Sequence, residues 1–95
     1  MLVYIILDNN EYDIETFEIK AYGNQRNYLN SLPLHHTQEE IETNQEYAVF
    51  SYRLRPSYDF LQEILSHGVN LEVLKPQWCR ERVKQSLEEN LKNYR

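Results

Sequence analysis

Hydrophobic and polar positions alternate most clearly over residues 47–54, where Ala48, Phe50, Tyr52 and Leu54 share one face and Tyr47, Val49, Ser51 and Arg53 the other. A period of two over eight residues predicts a strand with one buried face. Residues 16–22 carry the same signal: Phe17, Ile19 and Ala21 alternate with Glu18 and Lys20. Gly23 breaks this strand, Asn24 is suited to an N-cap, and residues 25–32 place Tyr28, Leu29 and Leu32 at helical spacing before Pro33. Residues 34–43 are polar apart from Leu34 and Ile41 and include Glu39, Glu40 and Glu42. They read as an edge strand whose charges discourage unwanted pairing.

After Arg55 and Pro56, Ser57 is a natural N-cap and Asp59 suits the first helical turn. Tyr58, Leu61, Ile64 and Leu65 form the helix's apolar stripe, and Gly68 supplies its left-handed stop. His67, beside that stop, is expected to cap the last carbonyls. Residues 71–74 form a short strand. Pro76 then opens a final helix in which Cys79, Val83, Leu87, Leu91 and Tyr94 recur at three- and four-residue steps.

The order strand, helix, strand, strand, helix, strand predicts an α+β fold, a ferredoxin-like βαββαβ sandwich with an added C-terminal helix. Right-handed crossovers place the first and third strands at the centre, which matches the two best-patterned strands. Residues 1–11 stand outside this unit. Leu2, Val3, Tyr4, Ile5 and Ile6 form an apolar strand or arm, expected to lead toward an upstream domain and to serve as an association strand. Residues 12–95 form the domain proper.

Composition narrows the functional classes. Lys+Arg 10 against Asp+Glu 15 gives a net charge of −5. An acidic chain lacks the phosphate attraction that supplies most non-specific affinity, so direct nucleic-acid binding is not expected. No apolar run is long enough for a membrane span. With one cysteine no intrachain disulfide can form, which suits a cytoplasmic protein.

The chemistry-bearing residues form no catalytic or metal constellation, so neither an enzyme nor a cofactor is expected. As neighbours in a strand, His35 and His36 point to opposite faces and do not close on one ion. Cys79 has Arg80 and Arg82 nearby, but its place in an apolar stripe predicts a buried structural thiol. The one candidate surface is cationic and aromatic: Arg53, Arg55 and Lys75 lie at strand ends, Trp78 and Arg80 follow Pro76, and the five can meet as a site for an anion or partner.

The run Pro56-Ser57-Tyr58-Asp59-Phe60 with Leu61-Gln62-Glu63-Ile64-Leu65, the segment Leu71-Glu72-Val73-Leu74-Lys75-Pro76-Gln77-Trp78, and Leu32-Pro33-Leu34-His35-His36-Thr37-Gln38 resemble the C-terminal extension (WCX-type) of WYL-domain transcriptional regulators. The likeness covers about residues 12–94. It implies a regulatory and dimerisation domain, hence a homodimer, beside an upstream WYL barrel and a DNA-binding helix-turn-helix. This chain contains neither a Trp-Tyr-Leu tripeptide nor a helix-turn-helix, so none of the family's DNA-reading or ligand-sensing residues carries over. A stand-alone small-molecule-binding module is the alternative.

Overall fold

A computed structural model describes residues 13–95; the predicted arm at residues 1–11 lies outside the described residues. The elements are β1 (Glu15–Tyr22), α1 (Gln25–Ser31), β2 (Glu39–Thr43), β3 (Tyr47–Leu54), α2 (Tyr58–Ser66), a single 3₁₀ turn (Gly68–Asn70), β4 (Leu71–Lys75) and α3 (Gln77–Lys92). The four strands form one sheet in the order β2-β3-β1-β4, and each neighbouring pair is antiparallel. The two strongly alternating strands therefore hold the inner positions. β1 and β3 pair along their whole length, from Glu15↔Leu54 to Tyr22↔Tyr47.

One face of the sheet is the core. Phe17, Ile19 and Ala21 of β1 join Ala48, Phe50, Tyr52 and Leu54 of β3 in one cluster with Leu29 of α1, Phe60, Leu61 and Ile64 of α2, Val73 of β4 and Cys79 of α3. Phe17 meets Phe60 edge-on at 5.3 Å, and Tyr52 meets the same ring at 5.8 Å. The stripe expected for α2 omits Phe60, which is buried, and includes Tyr58 and Leu65, which are only partly covered. The second face carries Glu18, Lys20 and Tyr22 beside Tyr47, Ser51 and Arg53; Val49 is the member of that set that is buried.

The ends of α2 follow the sequence signals. Ser57 is extended, and its hydroxyl accepts from the Phe60 amide at 3.2 Å. Gly68 takes φ +64°, a conformation in which a side chain is strained, so glycine is suited to the stop. α1 departs from expectation. Asn24 is itself helical, with φ −73°, and its side chain makes no capping bond. An N-cap side chain reaches the next amides from extended backbone, and Asn24 does not adopt it. Within α1 only Leu29 is buried, while Tyr28 and Leu32 remain more than half exposed.

The predicted strand over residues 34–43 shortens to Glu39–Thr43. Its first half is a turn organised by Gln38. The Gln38 carboxamide accepts from the Tyr52 hydroxyl at 2.7 Å and from the Leu34 amide at 3.2 Å, and it donates to the Leu29 carbonyl at 2.8 Å. One side chain thus satisfies a core tyrosine, the Leu34 amide and a carbonyl near the end of α1. Thr37 completes the junction: its hydroxyl donates to the Arg53 carbonyl and accepts from the Arg53 amide. β2 remains an edge strand, exposed throughout, with a register shift between Glu40 and Glu42 that leaves Ile41 as the extra residue.

α3 packs along β4, the opposite edge, after a cis Lys75–Pro76 peptide. No helix among the described residues is long and apolar enough to cross a membrane.

The Gln38 junction yields a stability prediction. Gln38→Ala strands the Tyr52 hydroxyl and two backbone groups and is expected to cost about 2 kcal/mol or more. Tyr52→Phe removes one bond and leaves the rest, costing about 1 kcal/mol. In urea unfolding of the two single variants and the double variant, the effects should be non-additive, because both remove the same bond. Strict additivity would show that the junction does not act as a unit.

Candidate functional site

β1 is the spine to which three of the predicted residues, Arg53, Lys75 and Trp78, attach, each through its own partner. Arg53 donates from Nη1 to the Thr16 hydroxyl at 3.2 Å. Lys75 lies 3.6 Å from the Glu18 carboxylate, opposite it in the sheet register. The Trp78 indole donates to both Glu15 carboxylate oxygens, at 3.1 and 3.2 Å, while its ring packs edge-on against Phe17 at 6.1 Å. Arg55 is exposed in the connection after β3. Arg80 turns away from this group toward Glu72. The expected surface therefore divides into local contacts, in which Glu18 and Glu72 offset the charges of Lys75 and Arg80 while Glu15 accepts from the Trp78 indole. The cation over Trp78 is a residue outside that set: the Arg82 guanidinium lies 5.7 Å from the ring centroid. Its buried Nη1 finds no acceptor among the described residues.

The open sheet face holds a second cluster that pattern alone did not single out. Lys20 places its Nζ 4.3 Å from the Tyr47 ring centroid and 5.6 Å from that of Tyr22. The two tyrosines sit edge-on at 6.4 Å and send their hydroxyls to opposite sides, Tyr47 to Glu42 at 2.9 Å and Tyr22 to Glu72 at 2.5 Å. Glu72 also accepts from Arg80 Nη1 at 2.7 Å, and the same nitrogen donates to the Val73 carbonyl at 2.9 Å. The Tyr22 and Arg80 bonds hold the Glu72 carboxyl below the usual carboxylate range, burial opposing them. The same bond to Glu72 raises the Tyr22 phenol.

Arg26 was legible only as a helix residue, yet it ties α1 to the β2–β3 turn. Its guanidinium donates to the carbonyls of Gly23, Asn44 and Gln45 and to the Thr43 hydroxyl. His67 corrects the capping expectation. Its Nδ1 lies 2.5 Å from the Gln25 amide nitrogen, its ring meets Tyr28 edge-on, and Nε2 lies 3.9 Å from Glu63. The imidazole joins α2 to α1 rather than capping carbonyls, because Gly68 already turns the chain.

His35 and His36 also differ from expectation. They sit in the Gln38 turn instead of a strand, and their rings lie 4.3 Å apart at 32°. His35 Nδ1 is tied to the Thr37 hydroxyl at 2.7 Å, and burial, then His36, lower the affinity of His35 for a proton. Among the described residues no group of three or more His, Cys, Asp or Glu side chains is placed to hold a metal. Cys79 is buried as expected, at 1% exposure. Burial, reinforced by Glu15, pushes its thiol up to about 12 against the opposing charge of Arg82.

The apolar stripe of α3 is the largest mismatch between pattern and burial. Cys79 is in the core and Val83 packs against it, but Leu87 and Leu91 are 51% and 52% exposed. These residues and Leu71 line a groove of about 320 Å³ between β4 and α3, rimmed by Arg80, Lys84 and Glu88. A second hollow, of about 500 Å³, lies at the end of β1 among Tyr22, Asn24, Gln25, Tyr28 and Asn70.

Comparison with protein families matches residues 13–91 to the WCX domain. Among curated proteins the chain has no match.

Two outcomes follow from this chemistry. Native protein at neutral pH should resist alkylation at Cys79, whereas the unfolded chain should react at the rate of a free thiol; equal rates would contradict the burial. Ionised Glu72 contributes stability above the ordinary carboxylate value of about 4.3, and this is lost as pH falls through its depressed folded value. Glu72→Gln should therefore lower the melting temperature at pH 7, with the gap to the unmodified protein closing toward pH 3. A gap independent of pH would remove the charge from the explanation.

Proposed function

Because the chain belongs to the WCX domain family, we propose that it is the regulatory and dimerisation domain of a WYL-type bacterial transcriptional regulator, with the WYL barrel and the helix-turn-helix upstream in the intact protein. The single observation that carries this reading is the family match across residues 13–91. We read the β2-β3-β1-β4 sheet, with β1 and β3 inside, as ferredoxin-like. The charge pattern supports a domain that works through protein contacts. At net −5, with Lys75 and Arg80 already paired to carboxylates, it offers little attraction to phosphate.

The mechanism we assign is mechanical. A signal received by the barrel changes how two such domains associate, and the change repositions the DNA-binding modules. The domain itself acts without catalysis, in the cytoplasm, and needs no cofactor. A second reading, a small-molecule-binding module, draws on the hollow lined by Tyr22, Asn24, Tyr28 and Asn70, where aromatic rings and side-chain amides stand together.

The test is the intact gene product compared with a version ending before residue 13 of this chain. In a mobility-shift assay on its own promoter DNA, the intact protein should bind as a dimer and the truncated one at least tenfold more weakly. Equal affinity and equal stoichiometry would overturn the reading, and so would a reading frame upstream of Met1 that encodes no DNA-binding module.

A further inference from the structure

Among the described residues, the two edges of the sheet and the groove beside α3 are open to a second copy, and their chemistry separates them. The outer edge of β2 presents Glu39, Glu40 and Glu42, a row of like charges that repels another acidic chain. The outer edge of β4 is engaged at Val73, whose carbonyl accepts from Arg80. The third surface is the groove between β4 and α3. It is apolar along Leu71, Val83, Leu87 and Leu91 and continues into Tyr94, 82% exposed.

The lengths of the two elements give this surface a shape that fits itself. β4 has 5 residues and spans about 16 Å, whereas α3 has 16 residues and spans about 24 Å. α3 runs back along β4, so its last turns pass beyond Leu71 as an apolar overhang. A groove and an overhang on one molecule match the overhang and groove of a copy turned through a two-fold axis.

Charge fixes the orientation. The residues flanking the stripe at four-residue steps are Arg80, Lys84, Glu88 and Lys92. Side by side in parallel, two copies would set Lys84 against Lys84 and Glu88 against Glu88. In antiparallel array, Lys84 of each copy meets Glu88 of the other. The outer members, Arg80 and Lys92, then face each other, but each is already neutralised in its own chain, by Glu72 at 2.7 Å and Glu89 at 3.3 Å.

We propose that the groove between β4 and α3, with the overhanging end of α3, is an isologous interface through which two copies of this chain associate with their α3 helices antiparallel. It rests on the reading of the domain as a dimerisation module and names the surface that does it. The face of one helix and a shallow groove supplies less than the ~800 Å² per partner of a standard interface, so association is weak and concentration-dependent. Such an interface is suited to being remade by a signal.

Sedimentation equilibrium of the 95-residue chain over a wide concentration range tests the proposal. The unmodified chain should dimerise, and Leu87→Glu with Leu91→Glu should weaken association at least tenfold. Both sites are exposed, so the melting temperature should hold. Lys84→Glu alone and Glu88→Lys alone should each weaken the dimer by placing like charges together, and the double exchange should restore it. A dimer indifferent to Leu87→Glu/Leu91→Glu and to the charge variants overturns this interface while leaving the dimerisation reading in place. A chain that stays monomeric at every concentration overturns both.

Discussion

β1 is held on both edges, by β3 along its full length and by β4 over residues 18–21, and this double pairing is the constraint from which the rest is built. An inner strand has no free backbone groups to offer, so its alternation is committed: Phe17, Ile19 and Ala21 must go to the helices, and Glu18, Lys20 and Tyr22 to the open face. A one-residue slip would bury Lys20 and expose Ile19. The positions of Trp78, Arg53, Lys75 and Glu72 then follow, because each is bonded to a β1 side chain or to a residue registered against it.

The connections are fixed by single polar side chains rather than by apolar packing. Gln38 gathers Tyr52, Leu29 and Leu34; Arg26 gathers the β2–β3 turn; His67 meets Gln25 and Tyr28. Such junctions suit a small domain, where loops have little core to lie on. They also explain much of the family-like segment at residues 32–38: Thr37 and Gln38 serve geometry, and His35 is oriented by Thr37.

The surface that results pairs several of its cations within the chain and is unfinished in its apolar contacts. Lysines and arginines near β1 and β4 have carboxylate or hydroxyl partners in their own chain. Leu87, Leu91 and Tyr94, by contrast, continue the stripe that begins with Cys79 in the core yet outrun the sheet that buries it. This uncovered apolar strip is what the proposed association of two copies would cover.

Much of the fold was legible before the structure. Alternation marked β1 and β3, Ser57 and Gly68 bounded α2, and Pro76 opened α3, since each is a local preference of backbone or side chain that needs no distant partner. The stripe of α3 was legible as apolar but not as half exposed, because exposure depends on how far β4 extends beside it. The cationic set was legible residue by residue, while its division into separate pairs was not. Gln38, Arg26, Lys20 between its two tyrosines, and the stacked His35 and His36 left no signal, since their partners lie far along the chain or in turns without a period. The sequence by itself determined which elements form and which faces of β1 and β3 are apolar, because those choices are local. Only the tertiary structure decided which polar groups meet and which apolar residues stay uncovered, because both are set by distances between segments that the fold alone brings together.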